Sequence, residues 1–218
     1  MNLPGSSLKS AELLSDKDLY RNLLQQNGFH SPKFVIYDPN EGDPDLSGFI
    51  FPLVVKPVDS SDTKGVNLIH STKQISAAVN KALPFSKKKK IIIEEFVNSD
   101  MANLHGDAFV ADGEIKFCML GDRIFSSLSN PLKPSTERYP GRISDKLLAE
   151  VQNEVSEIIQ KCGFSFGSIN IEARVDRQCK ISIMEIGPRS GGTLTPQTMR
   201  YSTGYDMLKA TFDYFKII

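Results

Sequence analysis

Two short segments near the C-terminal end of the chain alternate between apolar and polar residues. They cover residues 168–175 and 180–186, and a polar break at 176–178 separates them. Alternation with a period of two, rich in β-branched residues, predicts an antiparallel β-hairpin. If its turn is an even-numbered loop centred between Gln178 and Cys179, Glu172 and Glu185 lie opposite each other on one face, with Cβ atoms about 4.5–5.5 Å apart.

The rest of the pattern predicts short strands and amphipathic helices in one α+β fold. Residues 1–14 lack periodicity and predict a connecting arm, and residues 129–142 predict a long loop. In the last helix, Leu208 and Phe212 are expected to face inward. Helices are predicted at 15–28, 71–82, 144–163 and 206–214, and strands at 34–37, 51–57, 66–69, 91–97, 106–110 and 114–120.

Glu172 and Glu185 form a pair of like charges that is destabilising unless something neutralises it. Carboxylates with no His or Cys beside them suit Mg²⁺ or Mn²⁺ rather than zinc, and Mg²⁺ is usually shared with substrate phosphates. Arg189 and a glycine-containing loop at 190–192 follow, and both suit an anionic ligand. The hairpin therefore predicts a metal and nucleotide site. A surface hairpin with two solvated glutamates is the alternative.

Two lysines occupy unusual positions in the predicted elements. Lys17 lies in the opening turn of the first predicted helix, where a cation is unfavourable for the helix dipole. Lys56 ends an apolar strand and precedes a small polar loop at 58–65, of the kind that can lie over phosphates. For Lys17 the alternative is an exposed side chain offset by Asp16 and Asp18.

The composition narrows the class of protein. The chain has 218 residues, of which 40% are hydrophobic and 24% charged, with a formal net charge of zero. This balance gives no reason to expect nucleic acid as a partner. The three scattered cysteines suggest no disulfide framework, and no apolar run approaches the roughly 20 residues of a membrane span. We expect a cytoplasmic protein with no membrane partner.

Taken together, the motifs resemble the ATP-grasp superfamily over nearly the whole chain. The ending GPR followed by Gly-Gly is most similar to the branch with the carbamoyl-phosphate synthase large subunit, phosphoribosylglycinamide synthetase and related carboxylate-amine ligases. The motifs that carry the resemblance are SDK at 15–17, VVKP at 54–57, KGV at 64–66, IIEEF at 92–96, GDAFVADGEI at 106–115, NIE at 170–172 and MEIGPR at 184–189.

The resemblance implies the cofactors, the substrates and a role for each of these residues. It implies ATP and Mg²⁺ (or Mn²⁺) as cofactors, with a small-molecule carboxylate and an amine as substrates. It also implies that Arg189 and Lys56 are the catalytic residues, with Arg189 holding the substrate carboxylate or acyl phosphate. The nucleotide contacts implied are Lys17, Lys56 and Lys64 at the phosphates, Glu94 at the adenine amino group, the backbone at Glu95 and Val97 at the adenine edge, and Asp107 at the ribose.

The metal ligands implied are Glu172 and Glu185. Many relatives carry an asparagine two residues after the second glutamate, but this chain has Gly187 there. In the predicted register Gly187 faces Asn170, so we hypothesise that Asn170 supplies the missing amide oxygen.

The fold implied by the resemblance is two α+β lobes with ATP held between them, lacking the usual N-terminal α/β domain. Within a single core over 1–218, we expect an arm, first helix and strand at 1–50, a small lid at 51–97, and a C-terminal lobe with the metal hairpin at 98–218. A homodimer is possible. The function expected is an ATP- and Mg-dependent carboxylate-amine ligase, and this chain would be a fragment of a longer enzyme. The alternatives are a nucleotide-binding module without complete ligase activity and a small-molecule kinase-like relative.

Overall fold

A computed structural model describes residues 5–125, 132–192 and 194–217. The chain divides into two compact units. The first unit comprises 1–15, 99–124 and 135–218, and the second comprises 16–98 and 125–134. The elements in chain order are α1 Leu8–Ser15, α2 Lys17–Gln26, β1 Phe34–Tyr37, β2 Leu53–Pro57, β3 Asn67–Ile69, α3 Ile75–Ala82, β4 Ile91–Glu95, β5 Ala102–Ala111, β6 Glu114–Phe125, β7 Pro134–Arg138, α4 Asp145–Cys162, β8 Gly167–Val175, β9 Ile181–Gly187, α5 Thr195–Thr203 and α6 Met207–Ile217.

The second unit is built on an antiparallel sheet in the order β1-β4-β2-β3. Leu53, Val55 and Ile93 are fully buried and form a core with helix α3. Because side chains alternate along a strand, Lys56 and Glu94 point to the opposite face. The predicted end of the lid at residue 97 lies close to the unit boundary after Asn98. Strand β1, from the predicted segment 1–50, pairs with β4 of the predicted lid in the same sheet.

The first unit is built on a larger antiparallel sheet in the order β7-β6-β5-β8-β9. Phe109 and Met119 form a core with Met199 of α5 and Met207 of α6. Helix α4 begins at a Ser144 cap that accepts a hydrogen bond from the backbone N–H of Leu147. Its predicted bounds are confirmed. Among the described residues, no helix combines the length and the apolar character that crossing a membrane requires.

The opposition of Glu172 and Glu185 across β8 and β9 is confirmed. The premise behind it is wrong, because the connection between the strands is residues 176–180, an odd-numbered loop. Ala173 pairs with Ile183, so Met184 is an extra residue that forms a β-bulge. This bulge restores the register that an odd loop would have shifted by one residue, and it also places Asn170 opposite Gly187 as predicted.

Three other predictions are corrected. The arm predicted at 1–14 contains helix α1, which packs against β9 and α4 and therefore needs no strong periodicity of its own. The loop predicted at 129–142 contains strand β7, while its residues 129–131 lie outside the described residues. Leu208 and Phe212 are 68% and 64% exposed rather than inward. Helix α6 has a second apolar stripe, and Met207, Ala210 and Tyr214 on that stripe pack inward.

Candidate functional site

The second unit gathers two cations, Arg21 and Lys56, around the buried carboxylate of Glu94. Lys17 is the first residue of α2, and Arg21 lies one turn later on the same helix face. Lys56 on β2 and Glu94 on β4 lie on adjacent strands, since Val54 is the residue paired with Glu94. Sequence analysis missed Arg21, although its spacing of four residues from Lys17 was a usable signal.

Glu94 is held by two cations of its own unit. Its Oε2 accepts from Arg21 Nε at 3.0 Å, and its Oε1 accepts from Arg21 Nη2 at 3.4 Å and also from the Lys56 ammonium. Burial raises the pKa of Glu94, but the charges of Arg21 and Lys56 outweigh burial and hold this pKa at about 2. Glu94 is therefore an ionised counter-ion. Both of its oxygens accept hydrogen bonds from these cations, and its predicted contact with an adenine stays a prediction.

Burial lowers the pKa of the Lys56 ammonium more than the charge of Glu94 raises it, and the charges of Arg21 and Lys17 lower this pKa further. The backbone N–H of Lys17 donates to Val58 O at 2.9 Å, and Nζ donates to Ser60 O at 2.6 Å. These bonds tie the helix start to the polar loop that follows β2. The structure therefore brings Lys17 and Lys56 together, as predicted.

The other predicted nucleotide contacts of this unit are Lys64, Glu95 and Val97. Lys64 is an exposed side chain whose nearest acid, Asp62, lies 3.9 Å away. The backbone N–H of Glu95 donates to Lys33 O, and its side chain accepts from the backbone N–H of Ile50 at 2.9 Å. Val97 lies two residues beyond β4. Their roles at a nucleotide stay predictions, and the N–H of Glu95 already has a partner.

In the first unit, the face that bears Glu172 and Glu185 carries most of the predicted polar residues. We call it the Glu172 face. Directly opposed residues of neighbouring strands share a face, and His105 and Asp107 of β5 pair with Glu172 and Asn170 respectively. The structure thus brings together five predicted or newly found polar groups on three neighbouring strands.

Glu172 makes an ion pair with an arginine that sequence analysis missed. Arg123 of β6 donates from Nη1 to Glu172 Oε1 at 2.5 Å and from Nε to Glu137 Oε1 at 3.1 Å. Burial raises the pKa of Glu172, but the Arg123 guanidinium more than offsets it, so this pKa lies below its usual range. No sequence signal pointed to Arg123, which lies 49 residues from Glu172.

Glu137 of β7 anchors the other side of Arg123. Its Oε1 lies 2.9 Å from His105 Nδ1, and its Oε2 accepts from the Tyr139 hydroxyl at 3.2 Å. Burial raises its pKa, but the hydrogen bond from His105 and the charge of Arg123 outweigh burial and hold the pKa at about 2. Glu137 is therefore an ionised acceptor with three donors around it.

Asp107 holds the glycine loop that follows Arg189. Its carboxylate accepts from the backbone N–H of Gly191 at 2.9 Å and from Asn170 Nδ2 at 2.8 Å. A Cβ added at Gly191 would lie 2.8 Å from Asp107 Oδ1, so this approach requires glycine. Asp107 is completely buried, and its predicted contact with a ribose stays a prediction. Arg189 is exposed and donates from Nη1 to Ser190 O at 2.9 Å.

The Glu172 face has oxygen atoms that could coordinate a divalent cation. Among the described residues, none donates a hydrogen bond to the Glu185 carboxylate or to the amide oxygen of Asn170, which are both hard ligands. The described residues contain no group of three or more His, Cys, Asp or Glu side chains that could hold a metal ion. The fit is therefore to an ion held by one or two carboxylates and completed by other ligands, as Mg²⁺ usually is.

Comparison with known proteins supports the family predicted from the motifs. The chain is 23% identical over 192 residues to the carbamoyl phosphate synthase large chain of Halobacterium salinarum, covering 87% of this chain and 18% of that protein. It is 27% identical over 144 residues to the D-alanine–D-alanine ligase of Halothermothrix orenii, covering 62% of this chain and 38% of that ligase. The chain thus spans less than half the length of these curated relatives.

Solved structures agree on the fold. The L-amino acid ligase of Bacillus licheniformis superposes with a TM-score of 0.80 at 23% identity, covering 98% of this chain and 50% of that one. The family described as "ATP-grasp domain" matches residues 49–197, which is more than half of the chain. The sequence match and the superposed fold therefore indicate the same family, and the chain belongs to the ATP-grasp domain family.

Proposed function

We propose that this chain is the core of an ATP- and Mg²⁺-dependent ligase that joins a carboxylate to an amine. One observation carries the proposal. Glu172 and Glu185 are opposed across β8 and β9. Strand β9 leads into Arg189 and then into the glycine loop, whose Gly191 N–H donates to Asp107. The names of the relatives, which are ligases and a synthase, support the same class of reaction.

The reaction proposed has two steps. A carboxylate oxygen attacks the γ-phosphorus of ATP, forming an acyl phosphate and releasing ADP. An amine nitrogen then attacks the acyl carbon, the C–O bond to phosphate breaks, and the amine loses a proton as the amide forms. Phosphoryl transfer asks the protein mainly for positioning and charge neutralisation. A bound Mg²⁺ would neutralise phosphate charge.

The residues of the chain have distinct parts in this scheme. Lys17 and Lys56 neutralise the phosphates, and Glu94 keeps the Lys56 ammonium in place. Arg189, whose side chain is exposed, binds the substrate carboxylate and then the acyl phosphate. Glu185 and Asn170 offer oxygen ligands to the metal. None of these steps needs a Ser, Cys or His nucleophile.

The test is ADP formation by the purified chain with Mg-ATP and pools of carboxylic acids and amines. We expect ADP release that requires both an acid and an amine. The Glu185→Gln variant should lose it, whereas Glu150→Gln, which removes an exposed carboxylate paired with Lys146 on α4, should keep it. ATP binding without any such release would instead indicate a nucleotide-binding module. A stable phosphorylated acid formed without amine would indicate a kinase-like enzyme.

A further inference from the structure

Arg123 binds one of the two opposed carboxylates and leaves the other open. Its Nη1 donates to Glu172 Oε1 at 2.5 Å, and the arginine side chain is only 14% exposed. Glu185 makes no ion pair with any residue in the part of the chain that the structure describes. The two glutamates are therefore directly opposed, but within the described ranges only the charge of Glu172 is neutralised by an arginine.

The position of Arg123 does not depend on Glu172 alone. Its Nε donates to Glu137 Oε1 at 3.1 Å, and Glu137 is itself bound by His105 and by the Tyr139 hydroxyl. His105 is 4% exposed and its Nε2 lies 2.9 Å from Asn170 Nδ2. Glu137 and His105 therefore fix the Arg123 guanidinium on the side away from Glu172.

A fixed cation at Glu172 has a direct consequence for metal binding. It occupies one carboxylate oxygen, and it repels a divalent ion that would approach the same carboxylate. In addition, Gly187 offers no side-chain ligand beside Glu185, although the backbone there has room for one, since an added Cβ would meet nothing closer than 3.8 Å. Both features reduce the number of divalent ions that this face can hold.

We propose that the Arg123 guanidinium takes the place of one divalent cation, so that the Glu172 face binds a single metal ion, at Glu185. This inference rests on the proposed function, because it concerns the metal used with the nucleotide. Arg123 is a positioning residue in this scheme: it acts through Glu172 and has no contact with substrate assigned to it.

The experiment counts Mn²⁺ bound per chain by electron paramagnetic resonance, with a saturating non-hydrolysable ATP analogue and with Mn²⁺ alone. The wild type should bind one ion with the analogue. Arg123→Met should bind two, and its affinity for Mn²⁺ alone should rise by at least about tenfold because an uncompensated carboxylate is created. Arg123→Lys, which keeps the charge, should bind one. Arg138→Met removes another ion-paired arginine of β7 and should match the wild type.

The outcomes separate this inference from the proposed function. Two ions bound by the wild type would overturn the inference alone, and this count needs no variant to fold. Equal or weaker Mn²⁺ binding by a folded Arg123→Met would also overturn it, because Arg123 would then be neutral toward the metal or would help to bind it. Failure of the wild type to bind any Mn²⁺ with the analogue would overturn both proposals.

Discussion

Replacing Glu94 by glutamine tests whether the buried ion cluster of the second unit stabilises the fold. The side chains of Arg21 and Glu94 are only 1% and 2% exposed, and Lys56 binds the same carboxylate. The substitution keeps the shape of the side chain but leaves two cations without their anion. Removing one partner of a buried pair costs about 3–5 kcal/mol, so we expect the free energy of unfolding to fall by this amount at pH 7.

The pKa of Glu94 gives an independent figure. It falls from 4.5 to about 2 on folding, and a shift of this size corresponds to roughly 3 kcal/mol. Because the folded-state pKa is the lower one, the carboxylate contributes fully above about pH 5, and the contribution is lost as the pH falls toward 2. The stability difference between the wild type and Glu94→Gln should therefore shrink by roughly 3 kcal/mol over this range.

The assay is urea unfolding followed by far-ultraviolet circular dichroism, since the chain has no tryptophan. Amide hydrogen exchange in β2 and β4 assigns the lost stability to the second unit. Glu95→Gln is the matched control, because a glutamine oxygen can still accept the hydrogen bond from Ile50, and it should change stability by less than about 0.5 kcal/mol. A Glu94→Gln difference that is under about 1 kcal/mol, or that does not change with pH, would refute the reasoning.

Three further predictions concern the first unit. Gly191→Ala places a Cβ 2.8 Å from a carboxylate oxygen and should lower turnover in the ADP assay, whereas Gly192→Ala, with nothing within 4 Å, should not. Asn170→Ala should weaken Mg-ATP binding by about tenfold in calorimetry if its amide oxygen is a ligand, and unchanged affinity would disprove that role. Phe212→Ser should leave the melting temperature nearly unchanged because Phe212 is exposed, whereas Met207→Ser should lower it by several degrees, and the reverse order would contradict the packing of α6.

Local pattern predicted most elements because their signals lie within a few residues of one another. The turn at Asp112-Gly113 has positive φ at both residues, as a two-residue hairpin turn of this type requires. Helix α4 is capped by Ser144 before its first residue and by Gly163 after its last, and the φ of 70° at Gly163 suits glycine. By contrast, α6 carries two apolar stripes, and only packing in the folded unit decides which one is buried.

The opposed glutamates show how a correct prediction can rest on a wrong premise. A count of residues implied an even loop, but the structure uses an odd loop and a bulge at Met184. In a short strand, a bulge changes the alternation of apolar and polar residues too little to be recognised from the sequence. Without the bulge, the odd loop would pair Glu172 with Met184 and turn Glu185 to the other face, so the bulge decides that the two carboxylates meet.

The sequence by itself determined the family, the two sheets' principal strands and the residues at which a nucleotide and a metal are expected, because motifs and periodicity are local. Only the tertiary structure decided which polar side chains meet. Arg21 reaches Glu94 across 73 residues, Arg123 reaches Glu172 across 49, and His105 reaches Asn170 across 65. Such pairs depend on strand order and on how a helix lies over a sheet, and residue spacing along the chain carries neither.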